Sequence, residues 1–321
     1  MSLPDHVPTD MPESHRSAPV LLAHDDTIRV ATGRIVTILR DHLAANVPVA
    51  IDGRNAEGVH QVRVALRRFR VLTRLLRHDN PNVVLEGAST RAKVLAKAVG
   101  DARNWDVFLM TTLPCLQPLG LMDLDATKTL APRAEPMRRS AYAQARQALT
   151  GQDAAQLQTI LDQMVEGELW VTPLAAMAQD SLQEPAIDFS ARHLERLHRK
   201  ALRAGRDFAL LPPQDRHRLR VALKKLRYTA EFFRGLYADS DQTKDFIKKL
   251  SALQDVLGMD SDVLTTRYLL ARLGEGAEDD ARLQHMLGAV TGFLCGHQIA
   301  VHRDAHLRWR KFRRHRTFWS G

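Results

Sequence analysis

Between Val59 and Arg77 the chain reads VHQVRVALRRFRVLTRLLR, and every charged residue in it is a cation. On a helix at about 100° per residue, Arg63, Arg67, Arg70, Arg74 and Arg77 fall within roughly ±40° of one line, with His60 beside it. Val62, Val64, Leu66, Phe69, Val71, Leu72, Leu75 and Leu76 cover nearly all the remaining circumference. A surface helix ordinarily has the opposite proportions, one apolar stripe and a broad polar face of both signs. A helix packed on most sides with one open line of guanidiniums suits an anion of repeated charge, because each guanidinium forks onto two oxygens and stays charged. The alternative is an ordinary solvated or ion-paired basic face.

The design returns at Arg216–Tyr228, RHRLRVALKKLRY, where His217, Arg220, Lys224 and Arg227 repeat His60, Arg63, Arg67 and Arg70 at a constant offset of 157 residues. Glu231 then stands opposite Arg74, so the second stripe is shorter. Asn104-Trp105-Asp106-Val107 and Asp260-Ser261-Asp262-Val263 recur at an offset of 156. The chain therefore reads as two related halves. Lys97 and Lys248 lie on corresponding helices and join the candidate set by that correspondence. Arg196, Arg199 and Arg203, with Arg192, share one face of a further basic helix and complete the set. Arg68 and Lys225 lie about 140° from the stripe and are expected to pack or pair outside it.

His60 and His217 carry several readings: metal ligand, catalytic acid–base or phosphate acceptor, donor to a phosphate oxygen or to the next arginine, or a structural residue at the helix start. Neither has a cluster at ligand spacing or an obvious catalytic partner, so no catalytic residue and no metal ligand is assigned. Asp106 and Asp262 are expected to orient basic side chains through ion pairs, with helix capping as the alternative. Arg103, between Asp101 and Asp106, is as well placed for a local ion pair as for a ligand.

HxxRVxxRRxR at His60–Arg70 and HxxRVxxKKxR at His217–Arg227 resemble the conserved histidine α-helical domain (CHAD) family. LQDVLG at Leu253–Gly258 and LGMDSDV at Leu257–Val263, with Leu95–Val107 as a looser counterpart, look like its second block, and Trp309-x-x-Phe312 is similar to its closing helix. The resemblance covers roughly residues 25–315. It implies a stand-alone all-α domain, two pseudo-symmetric helical bundles around a central basic groove that binds inorganic polyphosphate, without an established catalytic activity and without a cofactor. Cytoplasmic association with polyphosphate granules is the expected setting. The triphosphate tunnel domain that often accompanies the family would need β-rich sequence, which is not found here.

Polyphosphate suits such a stripe. Arg63 to Arg77 span about 21 Å at the helical rise, enough to follow several phosphates. Neutralising those phosphates releases counterions, so binding should depend steeply on salt. A rival reading, a phosphatase or phosphotransferase, would need a metal site or a GxxxxGK[ST] loop, and neither is found. A nonspecific nucleic-acid binder would need stacking aromatics, whereas Phe69, Phe232 and Phe233 lie on apolar faces.

The elements that must hold these residues are helical by pattern. Helix formers dominate, and 321 residues with 45% hydrophobic content can bury a sizeable core. Residues 1–24, rich in Pro, Ser, Asp and His, read as a disordered lead-in. The domain follows at 25–315, with halves at 25–166 and 188–315 and a linker at 167–187. The pattern predicts helices over Asp26–Ala45, Val59–Arg77, Thr90–Val99, Glu135–Leu149, Gln152–Glu166, Ser190–Ala209, Arg216–Tyr228, Asp241–Leu257 and Ala281–Trp309. Val47–Gly58 and Gly274–Asp280 read as loops and Asp101–Asp106 as a break. Gly292 and Gly296 predict the close approach of another helix.

The formal net charge is +9, yet residues 301–321, with seven Arg or Lys and one Asp, supply +6 of it. The case for an anionic partner therefore rests on placement. Arg308–Arg316, RWRKFRRHR, interleaves basic and aromatic residues. It reads either as a flexible solvating tail, with 316–321 as its basic end, or as a contact to other polyanions including nucleic acid. Lone Cys115 and Cys295 suit a reducing cytosol. No secretory signal opens the chain, and no stretch approaches the roughly 18 apolar residues of a membrane span.

Overall fold

The computed structural model describes residues 11–79, 82–116, 126–167, 181–237 and 241–319, and among them the chain is all-α. Its long helices are α1 (Ile28–Asp52), α2 (Ala56–Asp79), α3 (Val83–Val107), α4 (Ala126–Leu149), α5 (Gln152–Glu166), α6 (Ala186–Ala204), α7 (Pro213–Phe233), α8 (Asp241–Gly274) and α9 (Ala281–Arg313). A π-helical turn at Phe108–Thr112 and a short turn at Leu113–Leu116 extend α3. None of these helices is long and apolar enough to cross a membrane.

The starts of α1 and α6, α2 and α7, α3 and α8, and α4 and α9 lie 155–158 residues apart, so the repeat extends from one helix to a whole bundle. Consecutive helices pack in each half, and α5 fills in against α1 and α3. The halves meet where α2 packs on α7. The starts of α1 and α6 are joined as well, by a bridge between Thr27 and Pro185 with Ile28 N donating to Glu184 O at 3.0 Å and Ala186 N to Asp26 O at 2.8 Å. The two basic helices thus stand at the centre of a pseudo-symmetric molecule.

Local chemistry fixes most helix ends. Thr27, Asn82 and Asp280 cap α1, α3 and α9 through their side-chain oxygens. Pro213 opens α7 in the first turn, where its missing N–H has no helical partner anyway. Gly53, at φ 80°, ends α1 in the left-handed region.

Several expected breaks are absent. α1 runs through Pro48 to Asp52, because a proline near the end removes little while Val49 and Ala50 gain burial in the core. Gly58 is consequently a packing residue inside α2 rather than part of a loop. A Cβ there would meet Ala50 N and Val49 Cγ1, each at 2.7 Å. Asp101–Asp106 is helical, held by the buried Ala102 and Trp105, and α8 continues past Leu257 to Gly274. Among the described residues nothing approaches Gly292 or Gly296 within 4 Å, so the outer face of α9 meets no described helix there.

Both chain ends are more ordered than composition suggested. Residues 11–24 form an extended strap, with His15 N donating to Asn46 Oδ1 at 3.0 Å, Asn55 Nδ2 donating to Pro12 O at 2.9 Å, and Val20 buried. Residues 1–10 lie outside the described residues, as do 168–180 of the expected linker. The presumed flexible tail folds back: Trp309, Phe312 and Trp319 are buried in the core. Burying such aromatic side chains is worth roughly 2–3 kcal/mol each, which outweighs the freedom of a solvated end.

Gly58→Ala should lower the unfolding free energy by about 1–3 kcal/mol, because backbone must give way. Gly292→Ala should raise it by about 0.5–1 kcal/mol through helix propensity alone. Urea unfolding of the two variants checks the opposite signs.

Candidate functional site

α2 and α7 present their basic lines to one cleft of about 430 Å³. Arg63, Arg67, Arg70 and Arg74 line it from α2; His217, Arg220, Lys224 and Lys225 line it from α7, with Val71, Val221 and Tyr228. No carboxylate is among these lining residues. Among the described residues, Arg63, Arg67, Arg70, Arg74 and Lys224 form no ion pair. The apolar faces explain the presentation. Val59, Val62, Leu66, Phe69 and Leu72 of α2, and Leu219, Leu223 and Leu226 of α7, are buried, so only the charged lines are left to turn towards each other.

The crowding shifts the basic groups. Burial, then the guanidiniums of Arg67, Arg220 and Arg63, push the Lys224 ammonium down to about 6. Lys225 is brought down to about 8 by burial, then by Arg74, Lys200, Arg70 and Arg196. Burial, then Arg67, Arg220 and Arg103, lower even Arg63, to about 10. These are the directions expected when like charges share a desolvated site.

Lys225 is a correction. The wheel put it away from the stripe, but α6 flanks α7 on that side and its cations make the groove wider than one line. Arg68 does pack outside, buried over the Phe232 ring at 5.3 Å. His60 stands at the edge, its ring pushed down by burial, then by Arg103, with Glu57 opposing. Arg103, which the sequence leaves open between a local ion pair and a ligand contact, stands beside the groove cations. It forms no ion pair with Asp101 or Asp106 and instead acts on His60, Arg63 and Asp262. Asp262 keeps contact with solvent in this surround; burial pushes its carboxyl up, against the pull of Arg220, Lys224, Arg103 and Arg63.

Asp106 does orient a basic side chain, but that of Arg138, which is not among the candidates. The fully buried carboxylate accepts from Arg138 Nε at 2.7 Å and from Tyr142 Oη at 2.8 Å. Arg77 pairs with Glu86 at 3.0 Å and leaves the line. Arg227 pairs with Glu231 at 3.5 Å and lies over the Tyr228 ring at 5.1 Å. Lys97, Arg203 and Lys248 are exposed on their helices and do not line the cleft. Arg199 is also elsewhere, on a second depression beyond α6, paired with Glu195 at 3.1 Å. Helical phase gives its face but not the neighbour beyond it.

At the end of α2, Asp79 collects His78 Nδ1 at 2.5 Å, His193 Nε2 at 2.8 Å and Arg192 Nη2 at 3.2 Å. The ligand atoms of His78, Asp79 and His193 lie within 4.8 Å of one another, the spacing of a metal site. Arg196 Nη2, however, donates to His193 Nδ1 at 2.9 Å. A guanidinium has no acceptor, so the ring proton sits on Nε2 and points at Asp79. As it stands the cluster is a hydrogen-bonded hub tying the first half to α6. Burial pushes the Asp79 carboxyl up, but the bonds from His78, His193 and Arg192 outweigh it and hold the group down to about 2.

Comparison with known proteins agrees with this architecture. The family model for the CHAD domain matches residues 34–271. The crystal structure of the CHAD domain from the plant Ricinus communis superposes with a TM-score of 0.79 at 25% identity, covering 95% of this chain and 98% of that one. PptA from Streptomyces chartreusis superposes at 0.64 with 15% identity, covering 89% and 100%, a likeness of fold alone. No curated protein matches the sequence.

The Asp79 hub predicts a pH signature. A carboxyl that titrates lower folded than unfolded contributes stability in full above its ordinary value near 4, and loses it as pH falls towards 2. Asp79→Asn should therefore be less stable than the parent at pH 7, with the gap closing between about pH 4 and pH 2. Urea midpoints across that range measure it; a gap that does not change with pH would remove the hub from the account.

Proposed function

The chain belongs to the CHAD domain family, and we propose that its central cleft binds inorganic polyphosphate, binding rather than catalysis being its activity. The observation that carries this reading is the convergence of cations from two helices on a cleft with no carboxylate among its lining residues, five of them, Arg63, Arg67, Arg70, Arg74 and Lys224, without an ion pair among the described residues. The proposed contacts are Arg63, Arg67, Arg70 and Arg74 on one wall, and His217, Arg220, Lys224 and Lys225 on the other. His60, Arg103, Arg196 and Arg227 stand at its edges, and the exposed Lys97, Arg203 and Lys248 add long-range attraction. Cytoplasmic polyphosphate granules are the proposed setting.

Mutual repulsion makes the empty cleft a high-energy arrangement that an anion relieves, so affinity comes partly from the strain of the free state. A chain of linked phosphates places one charge per unit along the line from Arg63 to Arg74, about 16 Å of helical rise. Guanidiniums grip it bidentately and lysines as point charges. The ligand also returns a proton. Lys224, brought down to about 6 in the free protein, is mostly neutral at pH 7 and recovers its proton beside a phosphate.

Polyphosphate affinity, measured against duplex DNA and ATP at two salt concentrations, tests the reading. Arg63→Ala/Arg67→Ala/Arg220→Ala/Lys224→Ala should weaken polyphosphate binding roughly 100-fold or more and flatten its salt dependence, because several charge-assisted contacts are lost. Equal affinity for DNA, or a variant that binds like the parent, would refute it.

Titration calorimetry in buffers of different ionisation enthalpy should show proton uptake on binding at pH 7, diminished in Lys224→Gln. Affinity should strengthen as pH falls from 8 towards 6, since the ligand favours the protonated amine. Absence of uptake would remove Lys224 from the binding step.

A further inference from the structure

The basic and aromatic run at the C-terminus is neither a free tail nor part of the central cleft. Burial of Trp309, Phe312 and Trp319 turns the arginines between them outward and lays the chain end against α6 and the first turn of α8. A cleft of about 630 Å³ opens there, with Arg199 and Glu195 on one wall, Gln242 on a second, and His315, Arg316 and Thr317 on the third. Helical phase separates it from the groove. Relative to Arg199, the groove-side Arg196 and Lys200 lie about 60–100° one way around α6, and Glu195 and Leu202 about 40–60° the other.

The segment that carries Arg316 is fixed from three directions. Gln242 Nε2 donates to Thr317 O at 3.0 Å. His315 is held between Asp245 Oδ2 at 2.8 Å and the Arg316 carbonyl at 2.7 Å. Trp319 Nε1 donates to Glu195 Oε2 at 3.2 Å. Beneath them lies the buried ring of His198, edge-on to Phe246, Phe312 and Trp319, and its Nε2 has no hydrogen-bond partner among the described residues. The Arg316 guanidinium itself forms no ion pair among those residues. Among the described residues Arg199 pairs with Glu195 alone, an exposed i,i+4 pair of the weak, solvent-screened kind, which an incoming anion readily displaces.

We propose that this cleft is a second anion site, separate from the groove, in which Arg199 and Arg316 clamp a short run of linked phosphates. Two guanidiniums on facing walls match phosphate oxygens bidentately, with the amide of Gln242 and the hydroxyl of Thr317 alongside. Glu195 sets the limit on the charge the site accepts: the anion must displace it from Arg199, after which the Trp319 indole N–H still holds it to one side. No Phe, Tyr or Trp is among the lining residues; the rings that line the cleft are the imidazoles of His198, itself buried, and His315, bonded at both nitrogens, so a nucleobase finds a poor stacking surface. The site rests on contacts independent of the groove.

Calorimetric titration of the full chain with tripolyphosphate should reveal two classes of site. Arg199→Ala/Arg316→Ala should abolish one, weakening it at least tenfold, and leave the other intact. Arg67→Ala/Lys224→Ala should do the reverse. Arg310→Ala/Arg313→Ala, exposed arginines outside the cleft, should change neither, and an unchanged thermal midpoint shows that each variant is folded. If only one class appears and the groove variant removes it, this proposal is overturned and the groove reading stands. If the single class is lost in Arg199→Ala/Arg316→Ala, the groove reading fails and this one survives. Duplex DNA that binds the parent at the same salt and loses its hold in Arg199→Ala/Arg316→Ala, without competition from tripolyphosphate, would overturn the proposal in favour of a nucleic-acid contact.

Discussion

Like charges facing one another across a narrow cleft are the constraint on which the rest of this molecule depends. Two unit charges about 5 Å apart at an effective dielectric of 20 repel by about 3 kcal/mol, and a solvated helix would relieve that by swinging its side chains into water. Here α2 and α7 are largely apolar on their other faces and buried there, so the cations of the two facing lines are held towards the cleft. The extended hydrophobic core, from Trp105 and Phe108 in one half to Phe246 and Phe312 in the other, is what keeps the arrangement together. Lys224 records the balance, since it yields its proton before the helices yield their packing.

Duplication is an economical way to build such a cleft, because one basic helix seen twice about a pseudo-twofold axis supplies both walls. The copies then diverge where the walls end. In the second half Glu231 pairs with Arg227, and its charge also reaches the buried Arg68. The first half instead carries its line on to Arg74, beside Lys225 and the cations of α6. The hub at Asp79 fixes α6 at that end, and Arg196, held by His193, belongs to both the hub and the groove. One end of the cleft is therefore capped by acid and the other opens along a basic surface.

Much of this was legible in the sequence for a physical reason: helical phase and repeat offset are local properties. The Arg63–Arg74 line, its partner at His217–Lys224 and the all-α halves follow from spacing alone. The misreadings share the opposite cause, dependence on a third element. Pro48, Asp101–Asp106 and the C-terminal aromatics carry signals for a break or for solvent that burial overrides. Lys225 and Arg199 lie where α6 and the returning chain end decide what each side chain meets. A glycine pair such as Gly292 and Gly296 signals a close approach only if a neighbour is there to make it.

His60, the first signature histidine, fits a site of charge matching better than one of proton transfer. His60 is pushed down by burial and by Arg103, so the uncharged ring is its resting form, and it can donate to an oxygen without adding to the repulsion. A general base needs a carboxylate or carbonyl to orient its ring and stabilise its charged form. The charges acting on His60 are instead mainly cations, Arg103, Arg67 and Arg63, with Glu57 opposing them. Those cations favour an imidazole that stays neutral, and under the proposed function a phosphate would add the counter-charge that Glu57 supplies only in part.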